Sequence, residues 1–222
     1  MAKTVTHKNE LPYFGKDSLL EIAPKRSFAA MIFELLSGKT PKESQLKVFE
    51  TILNISIDHG PETPSALEVV KTAKEGKLIT QSVAAGILQI NDYHGGAIEP
   101  AMELLYRVKN EKLKVKSLVR EYISLDRRIP GFGHRIYKVD PRSQLLFELS
   151  QKEKASQEYI KLAKEIEKEL SVVKKRELPV NIDGAIAAIL CGFGWDSSLG
   201  KAVFVIARTP GLIGQYLNAK RD

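Results

Sequence analysis

The sequence predicts an all-α fold, and two observations carry that prediction. Apolar residues recur at spacings of three and four along most of the chain, for example over 29–36, and this is the period of a helix that buries one face. Glycine or proline stands where these stretches begin or end, as at Gly38, Pro41 and Gly76. No stretch alternates apolar and polar residues over enough positions to predict a sheet.

Residues that cap or stop helices place the elements in order. Ser27 and Asp140 are suited to accept hydrogen bonds from the first turn of a following helix. Residues 1–26 form a polar arm. The predicted helices are 28–37, a helix from Pro41 to Ile57, one from Thr63 or Ser65 to Gly76, 79–90, 98–112, 118–125, one after Asp140, 156–173, 185–190, and a last one from Ser197 or Ser198 to about Lys220.

Composition predicts a globular protein with a real core. Of the 222 residues, 43% are hydrophobic and 27% are charged with both signs represented, which argues against disorder. The longest apolar runs are too short to span a bilayer, and the N-terminus lacks the apolar core of a signal peptide. A single cysteine, Cys191, excludes an internal disulfide and favours a reducing, cytoplasmic location. The net charge of +7 is compatible with a nucleic acid or a small polyanion as ligand.

Three histidines stand at helix ends beside glycine: His59, His94 and His134. Glycine permits backbone angles closed to other residues, so each histidine follows or precedes a shaped turn. An imidazole titrates near neutral pH and is suited to proton transfer or to polarising a carbonyl. The alternative is that each ring merely caps or packs at a turn between helices.

Asp183 precedes the run Ala185–Leu190, which is apolar on every side and therefore predicted to be buried. A carboxylate is costly to bury, so this position suggests a functional group. The alternative is that Asp183 is the N-cap of the helix, a role that aspartate often takes.

Two common kinds of site are absent from the sequence. The histidines lack the spacing of a zinc site and there is no Cys-x-x-Cys pair, so no metal is predicted. There is also no Gly-x-x-x-x-Gly-Lys-Ser/Thr loop for a nucleotide phosphate.

Four motifs in register resemble the citrate synthase superfamily. They are His94-Gly95-Gly96-Ala97, Pro130-Gly131-Phe132-Gly133-His134-Arg135 with Asp140-Pro141-Arg142, Asn181-Ile182-Asp183, and Ile206-Ala207-Arg208-Thr209-Pro210-Gly211. The resemblance runs from about Ser27 to the end of the chain. Asp58-His59-Gly60-Pro61 and the ending Gly211–Arg221 are similar to citryl-CoA lyase and to the matching module of ATP-citrate lyase, whereas the His94 motif is similar to citrate synthase.

The resemblance implies a fold with a large helical domain and a smaller one. The large domain would comprise 27–97 and 177–222, and the small CoA-binding domain 98–176. The long N-terminal part of full citrate synthases is expected to be lacking. The fold would assemble as a homo-oligomer built on dimers.

The resemblance also implies an activity, namely cleavage of (3S)-citryl-CoA to acetyl-CoA and oxaloacetate. His94 would stabilise the enolate of the leaving acetyl-CoA, Asp183 would exchange the proton at its methyl carbon, and His134 would act on the citryl hydroxyl. His59, Arg142 and Arg208 would hold carboxylate and carbonyl oxygens.

The remaining expectations concern CoA and partners. Gly131, Phe132 and Gly133 would lie along the adenine of CoA, and Lys175 and Arg176 would meet its phosphates; a solvated loop is the alternative for these last two. CoA enters as a thioester substrate, with no tightly bound cofactor. A citryl-CoA synthetase would be a partner that supplies substrate, and neither nucleic acid nor membrane is expected.

Two other functions stay open at this point. One is a minimal citrate synthase that condenses acetyl-CoA with oxaloacetate on the same fold. The other is a non-catalytic helical subunit or a basic nucleic-acid binder, which the positive charge favours but for which the sequence shows no helix-turn-helix signature.

Overall fold

The computed structural model describes residues 2–91, 96–134 and 137–221. The chain forms two compact units, Met1–Thr51 and Ile52–Asp222. The elements are β1 Val5–Lys8, β2 Leu11–Phe14, β3 Asp17–Ser18, α1 Leu19–Ile22, α2 Phe28–Ser37, α3 Glu43–Ile55, α4 Pro64–Lys74, α5 Ile79–Leu88, α6 Ile98–Asn110, α7 Val115–Ser124, α8 Pro141–Lys152, α9 Gln157–Lys174, α10 Ile182–Gly192 and α11 Leu199–Ala219. The predicted all-α class is confirmed, with one small sheet added to it.

That sheet lies within the segment predicted to be a polar arm, so the expectation of no sheet is wrong here. Strands β1, β2 and β3 pair antiparallel in chain order. Asn9 and Glu10 form the two-residue turn between β1 and β2, and both have positive φ, 50° and 61°. A turn of this kind matches the twist of a hairpin. Four-residue strands are too short for an alternation of apolar and polar residues to stand out in the sequence.

In the first unit, α2 begins and ends as its sequence predicts. The Ala30 N–H donates to the Ser27 hydroxyl at 3.2 Å, and Gly38 ends the helix in the left-handed conformation. Phe33 and Phe49 are almost fully buried, and their rings meet edge to face at 5.3 Å. These contacts form the core of the unit.

Helix α10 lies at the centre of the second unit. Its residues Ala185 to Cys191 are at most 2% exposed, which confirms the prediction from their unbroken apolar character. Helices α6, α8 and α9 pack around it, and α7 packs on α9. Helix α11 packs mainly against α4 and α5, where Val69, Val83 and Leu212 form a buried cluster. The predicted division into a large and a small domain stays a prediction.

Candidate active site

A cleft of about 190 Å³ lies in the second unit. One wall comes from the end of α3, the turn after it and α11. The other comes from the loop before α8, the first turn of α8 and the first turn of α10. The lining residues are Ile55, Ser56, His59, Thr63, His134, Arg142, Asn181, Ile182, Asp183, Ile186, Phe204 and Arg208.

The loop that ends in His134 is fastened to the segment before α10 by backbone pairing. Gly133 N–H donates to the Pro179 carbonyl at 2.7 Å, and Asn181 N–H donates to the Gly131 carbonyl at 3.0 Å. The Asn181 side chain also donates to the Gly133 carbonyl at 3.0 Å. Because these bonds join two segments far apart in sequence, they fix His134 relative to α10.

Two glycines make this pairing sterically feasible. Gly131 has φ +84°, and a Cβ there would come within 2.7 Å of the Gly184 Cα. A Cβ on Gly184 would come within 2.2 Å of the Gly131 carbonyl oxygen. The backbones therefore approach more closely than any side chain allows.

His134 is held in one tautomer by a backbone donor. Tyr137 N–H donates to Nδ1 of His134 at 3.1 Å, and the Tyr137 ring lies 4.5 Å from the imidazole. An N–H can only donate, so a neutral ring carries its proton on Nε2. Burial, helped by the charge of Arg142, lowers the pKa of His134 despite the opposing effect of Asp140. The ring is therefore neutral near pH 7, with its proton on Nε2.

Asp140 ties Arg142 to the start of α10. Its carboxylate is fully buried and accepts from the Arg142 Nε at 3.0 Å and from its Nη2 at 2.8 Å. It also accepts the Ile182 N–H at 3.1 Å. Burial would raise the pKa of Asp140, but the hydrogen bonds and charge of Arg142 outweigh it and lower that pKa. The fork of Arg142 is thereby held in one orientation.

From this position Arg142 reaches both histidines of the cleft. Its Nη1 lies 3.2 Å from Nδ1 of His59, and its Nη2 lies 3.5 Å from Nε2 of His134. Burial, together with the charges of Arg142 and Arg208, lowers the pKa of His59. Burial and the two arginines together therefore favour the neutral form of this imidazole at the mouth of the cleft.

Arg208 is the deeply buried cation of the cleft, only 3% exposed. Its Nε donates to the Ser56 carbonyl at 2.9 Å, and its guanidinium lies 4.7 Å from the centre of the Phe204 ring. Its Nη1 is buried and finds no hydrogen-bond acceptor in the part of the chain that the structure describes. A buried charged donor without a partner is costly, and an anionic ligand would satisfy it.

Asp183 lies in the first turn of α10 and is not its cap. Asn181 is the cap, because its side-chain oxygen accepts the Gly184 N–H at 3.1 Å, so the alternative interpretation of Asp183 is wrong. Burial raises the pKa of Asp183 to about 6, against the opposing charges of Arg142 and Arg208. A carboxyl in this state exchanges protons readily near neutral pH.

The structure brings together five of the predicted site residues: His59, His134, Arg142, Asp183 and Arg208. His94 lies outside the described residues. Gly131, Phe132 and Gly133 shape the loop through their backbone, and Phe132 pairs with Val180. Lys175 and Arg176 are exposed in the turn after α9 and do not line the cleft. No role in catalysis or binding follows from position alone, so all these roles stay predictions.

Sequence reasoning missed Asp140 and Asn181 as parts of the site. Asp140 was expected only as a cap, and it does accept the Arg142 N–H at 3.0 Å. The signal was present in Asp140-Pro141-Arg142, because an N-cap carboxylate also lies within reach of a long side chain two residues on. Asn181 gave no such signal. Its side chain donates to the carbonyl of Gly133, which is distant in sequence.

No group of three or more histidine, cysteine or acidic side chains is arranged to hold a metal ion in 2–91, 96–134 and 137–221. Within the same ranges, no helix has both the length and the apolar character needed to cross a membrane.

The chain is similar to several known proteins. Its fold matches citryl-CoA lyase from Hydrogenobacter thermophilus with a TM-score of 0.94 and 35% identity, over 99% of this chain and 86% of that one. It matches an ATP citrate lyase mutant from Methanosaeta concilii, in complex with (3S)-citryl-CoA, with a TM-score of 0.89 and 26% identity, over 100% of this chain and 39% of that one. A probable ATP-citrate synthase of Dictyostelium discoideum is 29% identical over 193 residues, which cover 79% of this chain and 31% of that protein.

The chain thus spans about a third of the length of the curated relatives it matches. A family model described as the citrate synthase C-terminal domain matches residues 2–222. The predicted resemblance is therefore confirmed, and the chain belongs to the citrate synthase C-terminal domain family.

Proposed function

We propose that this protein is a citryl-CoA lyase, which cleaves (3S)-citryl-CoA to acetyl-CoA and oxaloacetate. The observation that supports it most is the convergence in one cleft of a protonatable carboxyl, Asp183, a neutral imidazole, His134, and two arginines. The similarity to a citryl-CoA lyase over 99% of this chain supports the same reaction. Cleavage of a carbon–carbon bond next to a thioester requires these types of group.

In the proposed reaction, the citryl hydroxyl loses its proton and the adjacent carbon–carbon bond breaks. The electron pair of that bond forms the enolate of acetyl-CoA, and the alkoxide becomes the carbonyl of oxaloacetate. His134 donates from Nε2 to this oxygen throughout, because its Nδ1 is occupied by the Tyr137 N–H. The protonated Asp183 carboxyl then delivers its proton to the enolate carbon. The hydroxyl proton passes to water and Asp183 takes a proton back from water, so the net reaction neither consumes nor releases a proton.

The cations have a separate task, which is to hold the carboxylates of the substrate. Arg142 is oriented by Asp140, and Arg208 has a buried donor without a partner among the described residues. A substrate carboxylate on Arg208 would satisfy that donor, and His59 would hold a further oxygen at the mouth. His94 would stabilise the enolate at the thioester oxygen.

The CoA part of the substrate is proposed to lie along Gly131, Phe132 and Gly133, with its phosphates near Lys175 and Arg176. The backbone of these glycines is closed against 179–184, so contact with an adenine would come from the outer side of the loop. CoA would act as part of the substrate and not as a bound cofactor.

The reverse reaction is a second candidate, because the same groups serve it. An ionised Asp183 would remove a methyl proton from acetyl-CoA, and His134 would donate to the oxaloacetate carbonyl. The family to which the chain belongs carries the name of that reaction. A minimal citrate synthase would in addition hydrolyse the thioester of the resulting citryl-CoA with water, which releases citrate and free CoA.

One experiment decides between these activities. The purified protein is given citryl-CoA in one assay and acetyl-CoA with oxaloacetate in another, and oxaloacetate and free CoA are followed. Release of oxaloacetate from citryl-CoA without free CoA supports the lyase, whereas release of free CoA from acetyl-CoA and oxaloacetate supports the synthase. Neither activity at high protein concentration, with Asp183→Asn as a matched negative control, contradicts both. A lyase also needs a source of citryl-CoA, so we propose a citryl-CoA synthetase as partner.

A further inference from the structure

A second concave surface lies in the second unit, away from the cleft. It is a groove of about 480 Å³ between the end of α6, the turn to α7, the first turn of α7 and the N-terminal half of α9. Five lysines line it, and we call it the lysine groove: Lys109, Lys112, Lys114, Lys116 and Lys161. Its volume falls within the roughly 300–1,000 Å³ typical of small-molecule sites.

The charge of the lysine groove is largely unbalanced. Lys109 pairs with Glu158 at 2.6 Å. The other four lysines form no ion pair with any residue in the described ranges, and Glu165 is the only further carboxylate among the described lining residues. Clustered like charges repel one another, so a polyanion in the groove would relieve that repulsion.

The floor of the groove is apolar. Val108, Val115 and Tyr159 are at most 7% exposed, and Leu113 and Leu162 are half-buried beside them. Helix α7 also begins here, and its N-cap, Lys114, makes no side-chain cap bond. The first-turn N–H groups of α7 and its positive dipole end therefore add to the attraction for an anion.

The lysine groove is distinct from the cleft that holds Asp183. The Tyr159 ring packs edge to face on Tyr106 at 5.6 Å, and the Tyr106 hydroxyl donates to the Trp195 carbonyl at 2.6 Å. Trp195 follows the C-terminal end of α10, whereas Asp183 stands at its beginning. An 11-residue helix is about 16 Å long, so the two sites lie at opposite ends of α10.

We propose that the lysine groove binds a phosphorylated organic ligand, with its phosphates on the lysines and its apolar part on the floor. Lysine binds phosphate as a point charge, and the spread of the lysines around the groove suits two or more phosphate groups. A ligand of phosphate alone would leave the apolar floor exposed to water. This site is additional to any that the proposed lyase reaction requires.

ADP is the probe that tests the proposal, and all variants are made in the background Lys175→Gln, Arg176→Gln, which removes the two residues proposed to meet the phosphates of CoA. Calorimetric titration of this background protein is expected to give one ADP per chain, bound more tightly than pyrophosphate. The double variant Lys116→Gln, Lys161→Gln is expected to bind ADP about fivefold more weakly, since each exposed ion pair contributes about 0.5 kcal/mol. Raising the salt concentration should weaken binding as well.

The matched control is Lys74→Gln, Lys152→Gln, which removes two exposed lysines that do not line the groove. It is expected to bind ADP as the parent does. The proposal is overturned if the background protein binds no ADP, or if the double variants Lys116→Gln, Lys161→Gln and Lys74→Gln, Lys152→Gln bind it equally. It is also overturned if pyrophosphate binds as tightly as ADP, because the floor would then contribute nothing.

Discussion

Asp183 is expected to lower the free energy of unfolding near neutral pH, because burial raises the pKa of its carboxyl to about 6. A carboxyl with a pKa near 6 in the folded chain and near 4 in the unfolded chain disfavours folding once it ionises. The cost is absent below about pH 4, grows as the pH rises through 6, and is complete above it. A chain selected only for stability would not place a carboxyl here.

Asp183→Asn is therefore expected to raise the free energy of unfolding above pH 6 by about 2–3 kcal/mol and to change it little at pH 4. The same variant should lose at least about 100-fold in turnover, because an amide cannot exchange the proton. Urea denaturation at several pH values, together with the two activity assays, measures both effects. Asp126→Asn, at an exposed position, is the control and should change neither. A variant that is destabilised at pH 8 would contradict the assigned burial of the carboxyl.

Arg208 yields a prediction about binding. Arg208→Lys keeps the charge but loses the Nη1 donor, which finds no acceptor in the described chain. The loss of a charged hydrogen bond to a carboxylate costs about 2 kcal/mol, so kcat/KM should fall on the order of 30-fold. Steady-state kinetics with citryl-CoA, or with oxaloacetate in the reverse assay, measures this. Arg120→Lys, on the exposed surface of α7, should behave as the parent, and an equal loss in both variants would argue against a carboxylate at Arg208.

The loop before His134 and the start of α10 are held together as one rigid unit by their hydrogen bonds. Gly184→Ala would push a Cβ against the Gly131 carbonyl and separate the two segments. We expect a loss of about 2–4 kcal/mol in stability, accompanied by a loss of activity, because His134 and Asp183 would no longer be held in register.

Gly214→Ala provides the comparison within a helix. A Cβ at Gly214 meets nothing within 4 Å, so alanine should stabilise α11 by about 0.5–1 kcal/mol. Thermal and urea unfolding of the two variants measure the difference. If the two substitutions have equal effects, the close contact between Gly131 and Gly184 does not exclude a side chain at position 184.

Most helices could be predicted from the sequence because their signals are local. Ser27 and Asp140 both cap helices as expected, and the apolar run 185–190 is buried as its composition requires. The β1–β2 hairpin was missed because its strands are short. The cap of α10 was assigned to Asp183 as one alternative, although Asn181 two residues earlier is equally suited, and local sequence does not distinguish them.

The site was harder to predict than the helices, because what assembles it is non-local. The motifs placed His59, His134, Arg142, Asp183 and Arg208 in one site only through the resemblance to a family. Nothing in the spacing of these residues indicates that Asp140 would bind both Arg142 and the Ile182 N–H. Such contacts depend on the packing of α8 against α10, which a single sequence does not reveal.

We expect an oligomer, and the surface that favours it lies on α4, α5 and α11. The small residue Gly86 of α5 does not contribute to this surface, because it faces α4 within the chain and a Cβ there would come within 2.4 Å of the Val69 side chain. Large apolar side chains remain exposed on the same group of helices, among them Leu67, Leu88 and Leu217 at 55%, 81% and 49%. An unpartnered apolar surface of this kind favours subunit contact.

Small-angle scattering should therefore give a mass at least twice the 24.8 kDa of one chain. Leu88→Glu is expected to shift the protein toward the monomer, because a charge at a subunit contact costs its desolvation. Leu125→Glu changes the exposed leucine that directly follows α7, 56% exposed, and should leave the mass unaltered. A monomeric parent protein would contradict the expected assembly.

The cleft joins two groups of helices that pack largely on different neighbours: α11 on α4 and α5, and α10 on α6, α8 and α9. Arg142 and His59 lie on opposite walls, and the Nη1 of Arg142 is 3.2 Å from the Nδ1 of His59. A dicarboxylate held by Arg142 on one side and Arg208 on the other would act as a removable crosslink between the two groups. Amide hydrogens near Ser56 and along α11 should then exchange with deuterium more slowly when oxaloacetate is bound, although these segments lie on the wall opposite Asp183.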